Sequence, residues 1–228
     1  MPPTKIQSTP DSKFWLPPKG SLEPNHLTDD PLRYYYYPFI GKLYQDRITQ
    51  TLSLLSPPYD RALEIGYGSG LLFPTLSKIS MSFAGVDLKK PPANLKLNLS
   101  QIGLKTLPDL FTGDILSCAF QKEEFDLVIS ISVFEHIKDP SEMLDEISRI
   151  LSPNGSLLIG MPRVDKTMDL LFKFIGFPNI DDHHVTTHSQ FLKFAEKRFI
   201  LTQIKKFNPL TFSVFPLYYS MLFKKRAS

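Results

Sequence analysis

The chain has 228 residues, 42% of them hydrophobic and 21% charged, with a formal net charge of +3. This is enough for one sizeable core, and the basic excess is too weak to point to nucleic acid. One cysteine, Cys118, excludes an intramolecular disulfide framework and a cysteine-rich metal site, and no apolar run approaches the roughly 20 residues of a membrane span.

Residues 1–30 are rich in proline and polar residues and lack periodicity. They are expected to form an N-terminal arm, with Phe14 and Trp15 as its large anchors. The start lacks a charged-then-apolar leader pattern, which points to a cytoplasmic chain. Asp30 before Pro31 reads as a helix cap followed by proline at the first helical position. The run Tyr34 to Tyr37 either lines a pocket or packs on a sheet. A second helix is expected after Pro38, with Ile40, Leu43, Tyr44, Ile48, Leu52 and Leu55 as its apolar stripe.

From residue 61 the pattern alternates. "RALEIG" reads as a strand, "GLLFPTLSKIS" as a helix and "SFAGVD" as a strand. A weakly patterned stretch follows, with at best a short helix before the short strand "LFTGD". "EFDLVISIS" is a strong buried strand. "DPSEMLDEISRIL" is a helix capped by Asp139, with Pro140 at its first position, Glu142 placed for a capping box, and Leu144, Ile147, Ile150 and Leu151 inward. "SPNG" stops it and "SLLIGMP" is another buried strand. "SQFLKFAEKR" reads as a helix and "FILTQIKKF" as a strand. Residues 31–209 are therefore expected to be one α/β domain. Its sheet is a Rossmann-like, doubly wound and mostly parallel one of about six or seven strands, with helices on both faces.

The segment 210–228 shows no clear final strand. Aromatic and aliphatic residues crowd together and Lys224, Lys225 and Arg226 follow at once. Two arrangements suit it equally: a last layer on the sheet, or a segment at a membrane surface giving peripheral contact.

Doubly wound sheets bind ligands at the carboxyl ends of their strands. The expected rim carries Gly66-Tyr67-Gly68-Ser69-Gly70, then Asp87, Asp114, and finally Ser130, Ser132, Glu135 and His136. Glycines let a ligand approach backbone, and a carboxylate 21 residues beyond the first glycine suits the hydroxyls of a ribose. A dinucleotide and S-adenosylmethionine both contain one. The dinucleotide fingerprint needs a glycine at its sixth position, where Leu71 stands; here the third glycine arrives early, at Gly70. Glu64, two residues before the first glycine, suits an ammonium group better than a diphosphate.

In order and spacing, "LEIGYGSG", "GVDLKK", "FTGDIL", "FDLVISISVFEHIKDP" and "RILSPNGSLLIGMP" resemble the class I S-adenosylmethionine-dependent methyltransferases, in particular their type 11 group, over roughly residues 45–205. The resemblance implies methyl transfer to a small or lipid-like acceptor. It places Glu64 by the methionine amino group and Gly66, Gly68 and Gly70 against the cofactor. Asp87 would take the ribose hydroxyls, with Leu88 on the adenine. Asp114 would take the adenine amino group with Ile115 beside it, and Ser130 and Ile131 would lie near the sulfonium. Tyr67 departs from the small residue usual there and is expected to point outward. Some members carry Glu-x-x-Glu-His and hold magnesium; Ser132 replaces the first glutamate here, so no metal is expected. His136 is the first candidate base and His184 the second, within a cluster of His183, His184 and His188 read as a loop entering a helix. A fold kept as an inactive partner subunit and a nicotinamide-dependent oxidoreductase are the alternatives.

Overall fold

A computed structural model describes residues 13–25, 30–164, 185–209 and 216–226. Seven strands form one sheet: β1 (Tyr59–Ile65), β2 (Ser80–Asp87), β3 (Asp109–Thr112), β4 (Phe125–Ile131), β5 (Leu151–Pro162), β6 (Phe199–Phe207) and β7 (Tyr218–Lys225). Their order across the sheet is β3-β2-β1-β4-β5-β7-β6. The first five are parallel, and β7 pairs antiparallel with both β5 and β6. Strand order reverses direction between β1 and β4, which creates the crevice where such sheets hold ligands.

Alternation along the strands separates two apolar layers. Ala62, Phe83, Leu127, Ile129 and Leu158 face one side. Helices α1 (Ile40–Leu52), α2 (Phe73–Ile79) and α3 (Leu95–Gln101) cover it, through Ile48, Leu52, Leu76, Ile79, Leu95 and Leu99. Leu63, Ala84, Val128, Leu157, Ile159 and Met221 face the other. There α4 (Ser141–Ile150) and α5 (His188–Ala195) pack with Leu144, Ile147, Ile150, Phe191 and Ala195.

Local chemistry explains the helix starts. Asp30 accepts from the Leu32 N–H, and Pro31 opens a 3-10 turn to Tyr36 rather than an α-helix. Asp139 accepts from the Ser141 N–H at 3.0 Å, so it caps α4 although the regular helix starts one residue later than expected. The α5 start is a full capping box between Thr187 and Gln190. In α1 the expected stripe is rotated: Gly41, Ile48, Thr51 and Leu52 are buried, whereas Leu43 is exposed. The arm lies on the domain over its described part. Phe14 and Leu22 are buried, the Trp15 N–H donates to Thr75 Oγ1 at 3.0 Å, and Lys78 sits over the indole ring.

The C-terminal stretch corrects the sequence reading most. Residues 218–225 are the missing strand, and Tyr218, Tyr219, Ser220, Met221, Leu222 and Phe223 are all buried. A membrane-surface role for these side chains is excluded because they already fill the core. The basic end is tied to the fold: Lys224 donates to the Asn154 carbonyl and Ser156 Oγ, Lys225 to the Leu151 carbonyl, and Arg226 to the Glu196 carbonyl. Phe212, Val214 and Phe215 lie outside the described residues. Among the described residues no helix is long and apolar enough to cross a membrane.

Candidate functional site

The carboxyl ends of the central strands are level. Ile65 of β1 is in register with Val86 of β2 and Ser130 of β4, and Asp87 with Thr112 of β3. The Gly66 N–H donates to the Val86 carbonyl, the Gly113 N–H to the Asp87 carbonyl, and the Ser132 N–H to the Gly160 carbonyl, each at 2.8 Å. This ladder brings Glu64, the glycine loop, Asp87, Asp114, Ile115, Ser130 and Ile131 to one rim, as the sequence predicts.

The loop from Gly66 to Gly70 is built on positive φ angles at all three glycines. Gly66 is also sterically required: a Cβ there would lie 2.4 Å from Val133 Cγ2, so the loops after β1 and β4 press together. The turn ends in α2, which starts at Phe73 rather than at Gly70. Asp87 ties the loop down, its Oδ2 accepting from the Gly68 N–H at 2.9 Å and its Oδ1 from the Lys89 N–H at 3.0 Å.

The loop sits among acids. Glu64 is buried and its Oε2 has no partner. Burial pushes its carboxyl well above the usual range, and the Asp87 charge pushes it further. Asp30 reaches the same loop: a Cβ on Gly68 would lie 3.7 Å from Asp30 Oδ2. Burial raises the Asp30 carboxyl, the Asn25 and Leu32 N–H groups and Ser69 oppose that, and Asp87 adds to it.

Tyr67 corrects its expectation. It points inward, 3% exposed, packed on Phe73 with ring centroids 5.4 Å apart. Its hydroxyl is buried without a partner, and burial, then Asp87 and Glu64, hold the phenol well above its ordinary range. The inward ring is accommodated because residue 85 is glycine: a Cβ there would meet Tyr67 Cδ1 at 2.7 Å.

Along the rest of the rim, Leu88 is 73% exposed and Ile115 is buried. Asp114 is exposed, and its Oδ1 accepts from the Leu116 N–H at 3.0 Å, capping a 3-10 turn. Ser130 is buried and its Oγ has no partner. Ser132 has φ +56, an uncommon conformation for a non-glycine residue, and its Oγ lies 3.3 Å from the Tyr218 hydroxyl. The His136 imidazole is half-exposed, with Nε2 4.0 Å from Glu135 Oε1. His183 and His184 lie outside the described residues. His188 is instead stacked on Tyr219 at 3.5 Å on the opposite apolar layer's side of β7. Among the described residues no group of three or more His, Cys, Asp or Glu is placed to hold a metal ion.

The sequence reading placed Glu135 on the rim but did not foresee its burial, and Arg47 and the place of Tyr218 escaped it. Glu135 on its own is buried, with Oε2 unpartnered, and burial pushes its carboxyl up to about 8. Arg47 packs over the Tyr44 ring at 4.1 Å and the Tyr218 ring at 5.1 Å. Tyr218 lies across Gly160, where a Cβ would be 2.4 Å from its hydroxyl. The signal for Arg47 was there: a cation between Tyr44 and Ile48, beside the apolar stripe of this helix.

Comparison with known proteins shows what this rim is similar to. Residues 63–159 match the family model Methyltransf_11, described as a methyltransferase domain. A ubiquinone biosynthesis O-methyltransferase of Bradyrhizobium diazoefficiens is 30% identical over 149 residues, covering 65% of this chain and 56% of that protein. The mitochondrial enzyme of the same name from Dictyostelium discoideum is 25% identical over 158 residues, covering 65% of this chain and 49% of its own length. The chain thus spans about half the length of these curated relatives. Among solved structures, the N-methyltransferase NodS from Bradyrhizobium japonicum, in complex with S-adenosyl-L-homocysteine, superposes with a TM-score of 0.61 at 19% identity, covering 89% of this chain and 95% of that one. Fold and rim agree with the family-model match: residues 63–159, less than half of this chain, are similar to the methyltransferase domain of the type 11 family and lie in a sheet of seven strands.

Proposed function

We propose that the chain is an S-adenosylmethionine-dependent methyltransferase acting on a small or lipid-like acceptor. The observation that carries this reading is the acidic setting of the glycine loop. Glu64, Asp87 and Asp30 surround a loop of positive-φ backbone, and Glu64 Oε2 is buried without a partner. A diphosphate would have to enter against three carboxyl groups, which disfavours a nicotinamide dinucleotide. A methyl donor with an ammonium and a sulfonium is attracted by the same groups.

The residues fit the donor in detail. Glu64 meets the ammonium, and the Gly66, Gly68 and Gly70 backbone allows close approach. A carboxylate offers about four acceptor sites, so Asp87 keeps capacity for two ribose hydroxyls beyond its two backbone bonds. Exposed Leu88 and buried Ile115 offer apolar contact for adenine, and Asp114 its acceptor oxygen. Ser130 and Ile131 line the place of the reacting methyl. The donor supplies an activated leaving group, so the protein's main contribution is alignment, which can lower a barrier by about 7–11 kcal/mol. A nucleophile that must lose a proton can use His136, with Glu135 beside it. His184 is proposed only as an alternative base.

The test is transfer of label from S-adenosylmethionine carrying a labelled methyl group into a small-molecule or lipid extract, with Asp87→Ala as control. Label in an extractable product, lost in the variant, is the expected result. A chain that binds the donor product yet labels no extract is an inactive partner subunit.

A further inference from the structure

Arg47 is a partly buried cation set among aromatic rings. Its Nε is sealed from solvent with no hydrogen-bond partner, yet part of the side chain remains open to solvent. No carboxylate forms an ion pair with it among the described residues. Its neighbours are aromatic: the guanidinium packs over Tyr44 and Tyr218, and the Tyr35 side chain is its hydrogen-bond partner. Stacking on rings offsets part of the desolvation, but a charge held away from water without an opposite charge remains costly. Glu135, the acid within electrostatic reach, makes no hydrogen bond or ion pair with Arg47, and burial pushes that carboxyl up to about 8.

The position is as telling as the chemistry. Tyr218 connects Arg47 to the rim, since its ring lies under the guanidinium and its hydroxyl meets Ser132 at the end of β4. Gly160 at the end of β5 leaves the room that this hydroxyl takes. The rim is therefore polarised, with acids around the glycine loop on one side and the Arg47 guanidinium beyond β4 on the other. We propose that Arg47 is an acceptor-binding residue, and that the acceptor carries an anionic oxygen group, a carboxylate or a phenolate, that pairs with it. The inference rests on the methyltransferase reading and names the acceptor class for that site. A guanidinium is suited to it because it stays charged and presents a planar fork of donors to an oxyanion. The phenols around it favour a planar or apolar body behind the acidic group.

Calorimetric titration of the full chain saturated with S-adenosylhomocysteine tests this, using benzoate and octanoate as probes, each against its uncharged amide. Wild-type protein should prefer at least one acid over its amide by about tenfold or more, as expected for a charge-assisted contact. The aromatic and aliphatic arms distinguish a ring acid from a fatty acid. Arg47→Met should abolish the preference while retaining S-adenosylhomocysteine binding, and Arg47→Lys should retain part of it. Acid and amide binding alike, neither acid binding, or a preference that survives Arg47→Met overturns the acceptor inference alone. Wild-type protein that binds no S-adenosylhomocysteine overturns the methyltransferase reading and this inference with it. Should Arg47→Met fail to fold, the wild-type contrast and Arg47→Lys still decide.

Discussion

Asp87 does two jobs at the rim, holding the Gly68 and Lys89 N–H groups and, in the proposed complex, accepting from a ribose. Asp87→Ala should weaken S-adenosylhomocysteine binding by about tenfold or more, since bonds to a charged acceptor are worth roughly 1.5–3 kcal/mol each; titration calorimetry reads it directly. Glu135 makes a different prediction. Burial raises its carboxyl from 4.5 to about 8, so the folded chain holds a proton that the unfolded chain releases. Its contribution is fully present below about pH 4.5 and is lost as pH rises through about 8. Urea midpoints should therefore fall across that window, and Glu135→Gln should make the decline shallower, with Glu64 leaving a residue in the same direction. An unchanged slope would place Glu135 in a wetter setting than the fold gives it. Glu64, Asp87 and the glycines were legible because spacing after a strand fixes where they fall. Tyr67, Arg47 and Tyr218 were not, because whether an aromatic or a long cation turns inward depends on partners distant in sequence, such as Gly85 and Gly160.

At the level of elements, β6 was readable to the residue and β7 was not. β6 is bounded by a helix end and a turn. β7 is an apolar run buried on both faces, which shows no alternation, and its proline and basic flank resemble an interfacial helix. Its true setting predicts a large stability effect. Met221→Ala should cost about 2–5 kcal/mol and Phe223→Ala about 3–5 kcal/mol, by loss of transfer energy plus a cavity; urea denaturation measures both. A change within about 0.5 kcal/mol for either would mean a surface site, not an interior strand. The full chain should also remain in the supernatant with anionic liposomes at low salt, since Tyr218 to Phe223 are buried and Lys224 and Lys225 are engaged by carbonyls. Pelleting would show lipid contact by another surface.

For the molecule as a whole, the sheet reversal between β1 and β4 puts the acids of the glycine loop on one side of the rim and the Arg47 guanidinium on the other. In the proposed complex acids meet a cationic ligand and Ser132 Oγ lies 3.3 Å from the Tyr218 hydroxyl, so no metal is proposed for the donor side. Methyl transfer should therefore survive exhaustive chelation with EDTA, and loss restored by magnesium would contradict that. The two-layer plan and the parallel half of the sheet followed from alternating apolar strands and helices. The antiparallel end did not, because its order depends on a strand that returns between β5 and β6. The central claim is that the acidic glycine loop binds the methyl donor's product. Titration of the full chain with S-adenosylhomocysteine, alongside NADH, tests it most directly. Saturable binding of S-adenosylhomocysteine and none of NADH is the result predicted; NADH binding with no response to S-adenosylhomocysteine would contradict it.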